Sequence, residues 1–184
     1  LSSFYFDIRK DVLYCDSINS TKRKNCIIVL NIILECLLKW FAPILAFTTD
    51  EIYGLVKKNS ESIHEKTFSN LPNEWEDKAL EEKWSKLLII KQEVNIAIEE
   101  KRANKDIGSS LEAAVEIRAG EEPYNILNTI DIAEYLIVSE AKLILNSSEK
   151  KDFKTIVKKA VGKKCERCWK IIKNKCERCD GAKI

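Results

Sequence analysis

The chain has 184 residues, 45% of them apolar and 33% charged, with a net charge of +2. That is room for one large domain or two or three small ones, with a real core and a soluble surface. The longest apolar region, Cys26 to Phe47, is broken by Asn31, Glu35 and Lys39 and makes a poor membrane span. The first residues, Leu1 to Asp7, show no basic leader or cleavage site. Methionine is absent even at position 1, so the chain is expected to be a piece of a longer one.

Residues 3–14 carry Phe4, Tyr5, Ile8 and Val12 at helical spacing among Asp7, Arg9, Lys10 and Asp11, and read as the end of an amphipathic helix. A loop over 16–20 follows, and Ser20 or Thr21 can cap the next helix. That helix, 21–41, is the most apolar. Asn31, Glu35 and Lys39 fall four apart as one narrow polar stripe, so it is expected inside a bundle with one edge in water. Cys26 and Cys36 on it are read as core thiols without chemistry, as is Cys15. Pro43 breaks the helix. Thr48 or Thr49 is expected to cap a second one, running to about Lys58, with Asp50 and Glu51 in its first turn. Residues 59–77 are a polar connection holding the only histidine, His64, which has no cysteine nearby and is assigned a surface role.

Residues 78–105 form a long helix. Leu80, Trp84, Leu87, Val94 and Ile98 give it one apolar face, expected to pack on the first helices. Lys101, Arg102 and Lys105 suit the negative pole at its end, and Gly108 stops it. The period then changes. Ala113, Val115 and Ile117 alternate with Glu112, Glu116 and Arg118, a strand. Residues 121–134 read as one or two short helices, 136–139 and 143–145 as two short strands, and 153–161 as a weak alternation leading through Gly162 into the end of the chain. The fold class is therefore mainly α: a helical bundle over 1–107, a small mixed α/β region over 108–150, and a basic metal-binding module over 151–184.

That last module is set by two Cys-x-x-Cys pairs, Cys165/Cys168 and Cys176/Cys179, with seven residues between them. Each pair puts two thiolates on one side of a tight turn, and two facing turns complete a tetrahedron of sulfurs around a zinc ion, with Zn–S near ~2.3 Å. The competing reading, two disulfides of a secreted protein, fits poorly with three further cysteines in apolar runs and an odd total of seven. A knuckle with so few apolar residues needs metal binding to supply its folding energy.

Charge is split along the chain. From Lys150 to the end, thirteen lysines and arginines face four acids, a balance of +9, which leaves −7 on residues 1–149. A basic tail on an acidic body points to a polyanion, nucleic acid before membrane. The candidate contacts are Lys163, Lys164, Lys170, Lys173, Lys175 and Arg178 to phosphates, with Arg167 and Trp169 beside the sulfurs. Trp169 either stacks on an unpaired base or covers the metal site. Arg167 and Arg178, each between two ligands, contact phosphate or donate instead to sulfurs or nearby acids.

Several stretches resemble one family, the bacterial isoleucyl-tRNA synthetases, over their C-terminal third. Leu1 through Tyr14 (LSSFYFDIRKDVLY) is similar to a segment of the family's anticodon-stem-binding helical domain. Ala42 through Tyr53 (APILAFTTDEIY) resembles the Pro-containing helix junction shared with the valine and leucine enzymes, and Glu61-Ser62-Ile63-His64 the connection after it. Ile107 through Ala113 (IGSSLEA) and the ending Lys164-Cys165-Glu166-Arg167-Cys168-Trp169, followed by a second Cys-x-x-Cys, look more specific to the isoleucine enzymes.

The resemblance implies an anticodon-binding, tRNA-recognition region of a cytoplasmic, monomeric isoleucine–tRNA ligase. Its partners would be tRNA of the isoleucine acceptor type and the remainder of the parent synthetase. Cys165, Cys168, Cys176 and Cys179 match the family's metal ligands, for one structural Zn²⁺. The ATP-binding signatures, a His-x-Gly-His element and a Lys-Met-Ser-Lys-Ser loop, belong to a domain upstream, so catalytic residues are expected to be none and ATP is bound only there. Lys83-Trp84-Ser85-Lys86-Leu87 is a superficial likeness to the second signature, placed mid-helix. The alternatives are a zinc-stabilised module docking on the parent enzyme, a stand-alone zinc nucleic-acid-binding protein, or the equivalent region of a valine or leucine enzyme.

Overall fold

The computed structural model describes residues 2–58, 61–146 and 153–180. Lys150, Lys151, Asp152 and Lys183 of the basic tail lie outside the described residues. The chain forms two compact units, Ile18–Glu76 on one hand and Leu1–Ser17 with Asp77–Ile184 on the other.

The first of these units is built on helices α2 (Thr21–Phe41) and α3 (Ala46–Lys57). Ser20 caps α2 as expected, its hydroxyl accepting from the Arg23 amide at 3.4 Å. The cap of α3 differs from expectation. The helix begins at Ala46, so Thr49 lies inside it, and its hydroxyl donates to the Leu45 carbonyl at 2.9 Å. Asp50 is past the first turn. Its carboxylate accepts from the Ser62 hydroxyl at 2.6 Å and the Ile63 amide at 2.9 Å, and these bonds hold it below the usual carboxylate range. That clasp seats the short 3-10 turn Ile63–Glu65 against the helices, where Ile63 joins Leu38, Ala42 and Tyr53 in a small core. Two helices and a turn cannot enclose α2 on every side. Ile28 and Trp40 stay exposed, unlike the interior helix expected, while Cys26 and Cys36 are buried as expected.

In the other unit a π-helical turn, Ser2–Phe6, leads into α1 (Asp7–Cys15). The long helix is α4 (Lys78–Ala103), started by Asp77, whose carboxylate accepts from the Leu80 amide at 2.9 Å. It ends earlier than Gly108: Lys105 takes a left-handed φ of 60°, and its amide and that of Asp106 turn back to the Arg102 and Lys101 carbonyls. Leu87, Ile90, Val94 and Ile98 are buried along one stripe. They pack mainly on the sheet, with Phe4 and Ile8 at the margin, and Leu80 is left exposed.

The sheet has the order β2-β1-β3, with β1 Ala113–Ala119, β2 Glu140–Leu145 and β3 Phe153–Lys159. β1 runs parallel to β2 and antiparallel to β3, with Val115 opposite Ala141 and Val157. Ala113, Val115 and Ile117 alternate inward as the sequence predicts, and the strand carries the pattern on to Ala119. A parallel pair needs a crossover, supplied by α5 (Glu121–Leu127) and α6 (Ile132–Tyr135). Residues 136–139 are not a strand. Leu136 and Val138 are buried, but Ile137 sits at φ 58°, which breaks any extended run. The molecule is thus mainly α, with a small α+β region and a four-cysteine knuckle at its end.

Candidate metal centre

The knuckle begins as a hairpin. Strand β4 (Lys163–Lys164) pairs antiparallel with β5 (Ile171–Ile172). Gly162 precedes it at φ 151°, and a Cβ there would lie 2.3 Å from the Ile172 carbonyl oxygen, so only glycine fits. The turn between the strands holds the first cysteine pair. The Cys165 amide donates to the Lys170 carbonyl and the Trp169 amide to the Cys165 carbonyl, each at 2.9 Å. Trp169 adopts a left-handed φ of 62°, which closes the turn. The second pair brackets the start of α7 (Glu177–Asp180), where the Cys179 amide donates to the Cys176 carbonyl at 3.1 Å.

The two turns face each other. The Sγ atoms of Cys165, Cys168, Cys176 and Cys179 all lie within 4.8 Å of one another, and Cys168 and Cys176 are 3.7 Å apart. Four Zn–S bonds of ~2.3 Å in a tetrahedron place sulfurs ~3.8 Å apart, so the cluster fits a tetrahedral metal ion. All seven cysteines are free thiols, which excludes the cystine alternative. The electrostatics agree with a site made for a cation. The amide of Cys168, and then that of Arg167, pulls the Cys165 thiol down to about 7. Burial pushes Cys168 up to about 11 and also raises Cys179. A divalent ion removes the cost of four crowded thiolates.

Around this centre, Lys163, Lys164, Lys173, Lys175 and Arg167 are exposed and Lys170 is half-buried. Trp169 is 60% exposed, and the Lys164 ammonium lies 5.7 Å from its ring centroid. Lys173 pairs with Glu140 at 3.3 Å. The two arginines turn toward α1. Arg167 donates to the Tyr14 carbonyl at 3.0 Å. Arg178 donates to Asp16 at 2.5 Å, with Asp11 at 3.9 Å. Ser139 ties the hairpin to the sheet region: its hydroxyl accepts from the Ile171 amide at 2.6 Å and donates to the Leu111 carbonyl. His64, in the other unit, is exposed, with its Nε2 3.2 Å from the Ala46 carbonyl oxygen. Residues 83–87 lie within α4, with Leu87 buried.

Sequence reasoning missed Lys91. Its ammonium is buried, donates to the Tyr135 carbonyl at 3.0 Å, and lies 5.0 Å from the Tyr135 ring and 5.7 Å from that of Phe4. Burial holds it below the usual lysine range. The signal was present: Lys91 falls four residues after Leu87, on the apolar stripe.

Against known proteins, residues 1–117 match the anticodon-binding domain of tRNA ligase. The chain belongs to this family. An isoleucine–tRNA ligase of Pelagibacter ubique is 52% identical over 178 residues, covering 97% of this chain and 19% of the relative. Isoleucine–tRNA ligases of Agrobacterium fabrum and Rhodopseudomonas palustris are each 40% identical, over 93% and 94% of this chain and 19% and 18% of the relatives. The anticodon-binding chain thus spans about a fifth of the length of these relatives, and the similarity to them extends past the family match. Among its described residues, no helix is long and apolar enough to cross a membrane.

Proposed function

We propose that this chain is the tRNA-recognition region, at the C-terminal end, of an isoleucine–tRNA ligase, the enzyme that joins isoleucine to its tRNA at the expense of ATP. The bundle would lie along the anticodon stem and the knuckle would close over the anticodon loop. The observation that carries this is Trp169, largely exposed and backed by Lys164 on a knuckle of four convergent sulfurs. In this reading the cysteines hold one structural Zn²⁺, which supplies the folding energy that the small hairpin lacks. Trp169 stacks on an unpaired base, and Lys163, Lys164, Lys170, Lys173 and Lys175 neutralise phosphates, while Arg167 is held on the Tyr14 carbonyl. No residue here is assigned to chemistry. The parent enzyme would be cytoplasmic and monomeric.

The test is a titration of labelled isoleucine-acceptor tRNA at several salt concentrations, with and without a zinc chelator. Binding should weaken with salt and weaken further on chelation. Identical curves with and without chelator would remove the knuckle from recognition. Binding to the remainder of the synthetase, with no affinity for any RNA, would assign the knuckle to docking instead. Preference for a valine or leucine acceptor would reassign the parent enzyme.

A further inference from the structure

Both cysteine pairs have the form Cys-Glu-Arg-Cys, so each arginine sits between two sulfur ligands. Once the sulfurs converge, the backbone of each arginine is held at both sides, and the side chains run in one direction, toward the end of α1. Arg167 donates to the carbonyl of Tyr14, in the last turn of α1, at 3.0 Å. That turn has no basic residue of its own, and its open carbonyls favour a cation. Arg178 reaches Asp16, just beyond the helix, and has Asp11 at 3.9 Å.

The Arg178 pair differs from the surface ion pairs elsewhere in the chain. Its side chain is 20% exposed, with Asp16 at 12% and Asp11 at 21%. Glu134 on α6, buried and bridged to Arg9 at 2.6 Å, adds only a longer-range attraction for Arg178. Two acids therefore face one guanidinium, Asp11 from α1 and Asp16 just beyond its end. A phosphate approaching Arg178 would meet a cation already neutralised, and would have to pass carboxylates to reach it. Losing one partner of such a half-buried pair leaves the other charge unpaired, which costs far more than losing an exposed pair.

We propose that Arg178 is a positioning residue: through Asp16 and Asp11 it latches the metal centre to the end of α1, so that metal retention and this ion pair stabilise one another, and it makes no phosphate contact. The proposal rests on the four cysteines binding zinc, but its main readout needs no RNA. Coupling of this kind is reciprocal. The metal aims Arg178 at Asp16, and Asp16 in turn opposes opening of the Cys176–Cys179 turn. Arg167 on the Tyr14 carbonyl and Ser139 on the Ile171 amide hold the other half of the knuckle in the same way.

The experiment uses the whole 184-residue chain loaded with zinc. Zinc transfer to a chromophoric chelator is followed in Asp16→Asn, Arg178→Gln, the double variant, and the exchange Asp16→Arg with Arg178→Asp. Each single variant should release zinc roughly ten-fold faster or more, as for other groups that support metal ligands. The double should be no faster than either single, and the exchange should recover most of the loss. Arg178→Lys, which keeps the charge but not the fork, should fall between. Asp16→Asn releasing zinc at the parent rate, or single effects that simply add, would overturn the latch. A second arm measures tRNA affinity against salt for zinc-saturated Arg178→Gln. An unchanged salt slope is expected, whereas a slope reduced by about one would make Arg178 a phosphate contact. A parent chain that holds no zinc would refute the metal reading, and one that holds zinc but binds no RNA would refute the recognition reading while leaving the chelator rates to decide the latch.

Discussion

Trp169 combines two properties that rarely coincide: a left-handed backbone and a large exposed ring. The backbone angle closes the cysteine turn, and exposure leaves the ring face open. A cover for the metal would instead be buried against it. Trp169→Ala should therefore lower tRNA affinity by roughly 5- to 150-fold, the usual worth of a stacked base, while zinc content stays the same. Loss of zinc in that variant would restore the covering role. At the same scale, Lys91 is a charge inside an apolar cluster with no carboxylate bonded to it. Its folded pKa lies below the unfolded value of ~10.4, so folding favours the neutral form. The cost is complete below the folded pKa and disappears as pH rises toward the unfolded one. Lys91→Met should raise the urea midpoint at neutral pH, and the gain should shrink as the pH approaches ~10. A gain independent of pH would mean that packing, not charge, sets the difference.

At the level of elements, periodicity was legible wherever a segment packs on one side. The stripe Leu87, Val94, Ile98 located α4, and Ala113, Val115, Ile117 located β1, because burial on one face imposes one period. What lies behind such a stripe does not appear in it. The face of α4 was expected against the first helices, yet its main neighbour is the sheet, since a 3.6 period looks the same under either cover. Leu136 and Val138 also mimicked a strand. Both are buried, but Ile137 turns left-handed between them so that Ser139 can reach Leu111 and Ile171. Local alternation cannot report a tertiary demand of that kind. Two measurements test these elements. Leu87→Ala, at a fully buried position, should cost ~2–5 kcal/mol in urea unfolding. Gly162→Ala should disrupt the β4–β5 hairpin and speed zinc release, because its Cβ would collide with backbone.

Across the whole molecule, the sulfur cluster was the part of the site best written in the sequence, because ligand number and spacing are fixed by the coordination sphere. The fate of the arginines was not written there. Arg167 and Arg178 are equivalent in the motif, and only the placement of α1 decides that one meets a carbonyl and the other two carboxylates. The same placement reduces the cations that the basic tail can offer to a polyanion. On this account the remaining lysines and the exposed indole meet the tRNA, and zinc is what assembles the hairpin that carries them. The most direct test is to determine zinc by elemental analysis of the purified chain, then titrate isoleucine-acceptor tRNA before and after stripping the metal. The account predicts one zinc per chain and markedly weaker, less salt-sensitive binding once it is removed. A chain without zinc, or with tRNA binding untouched by its removal, would contradict it.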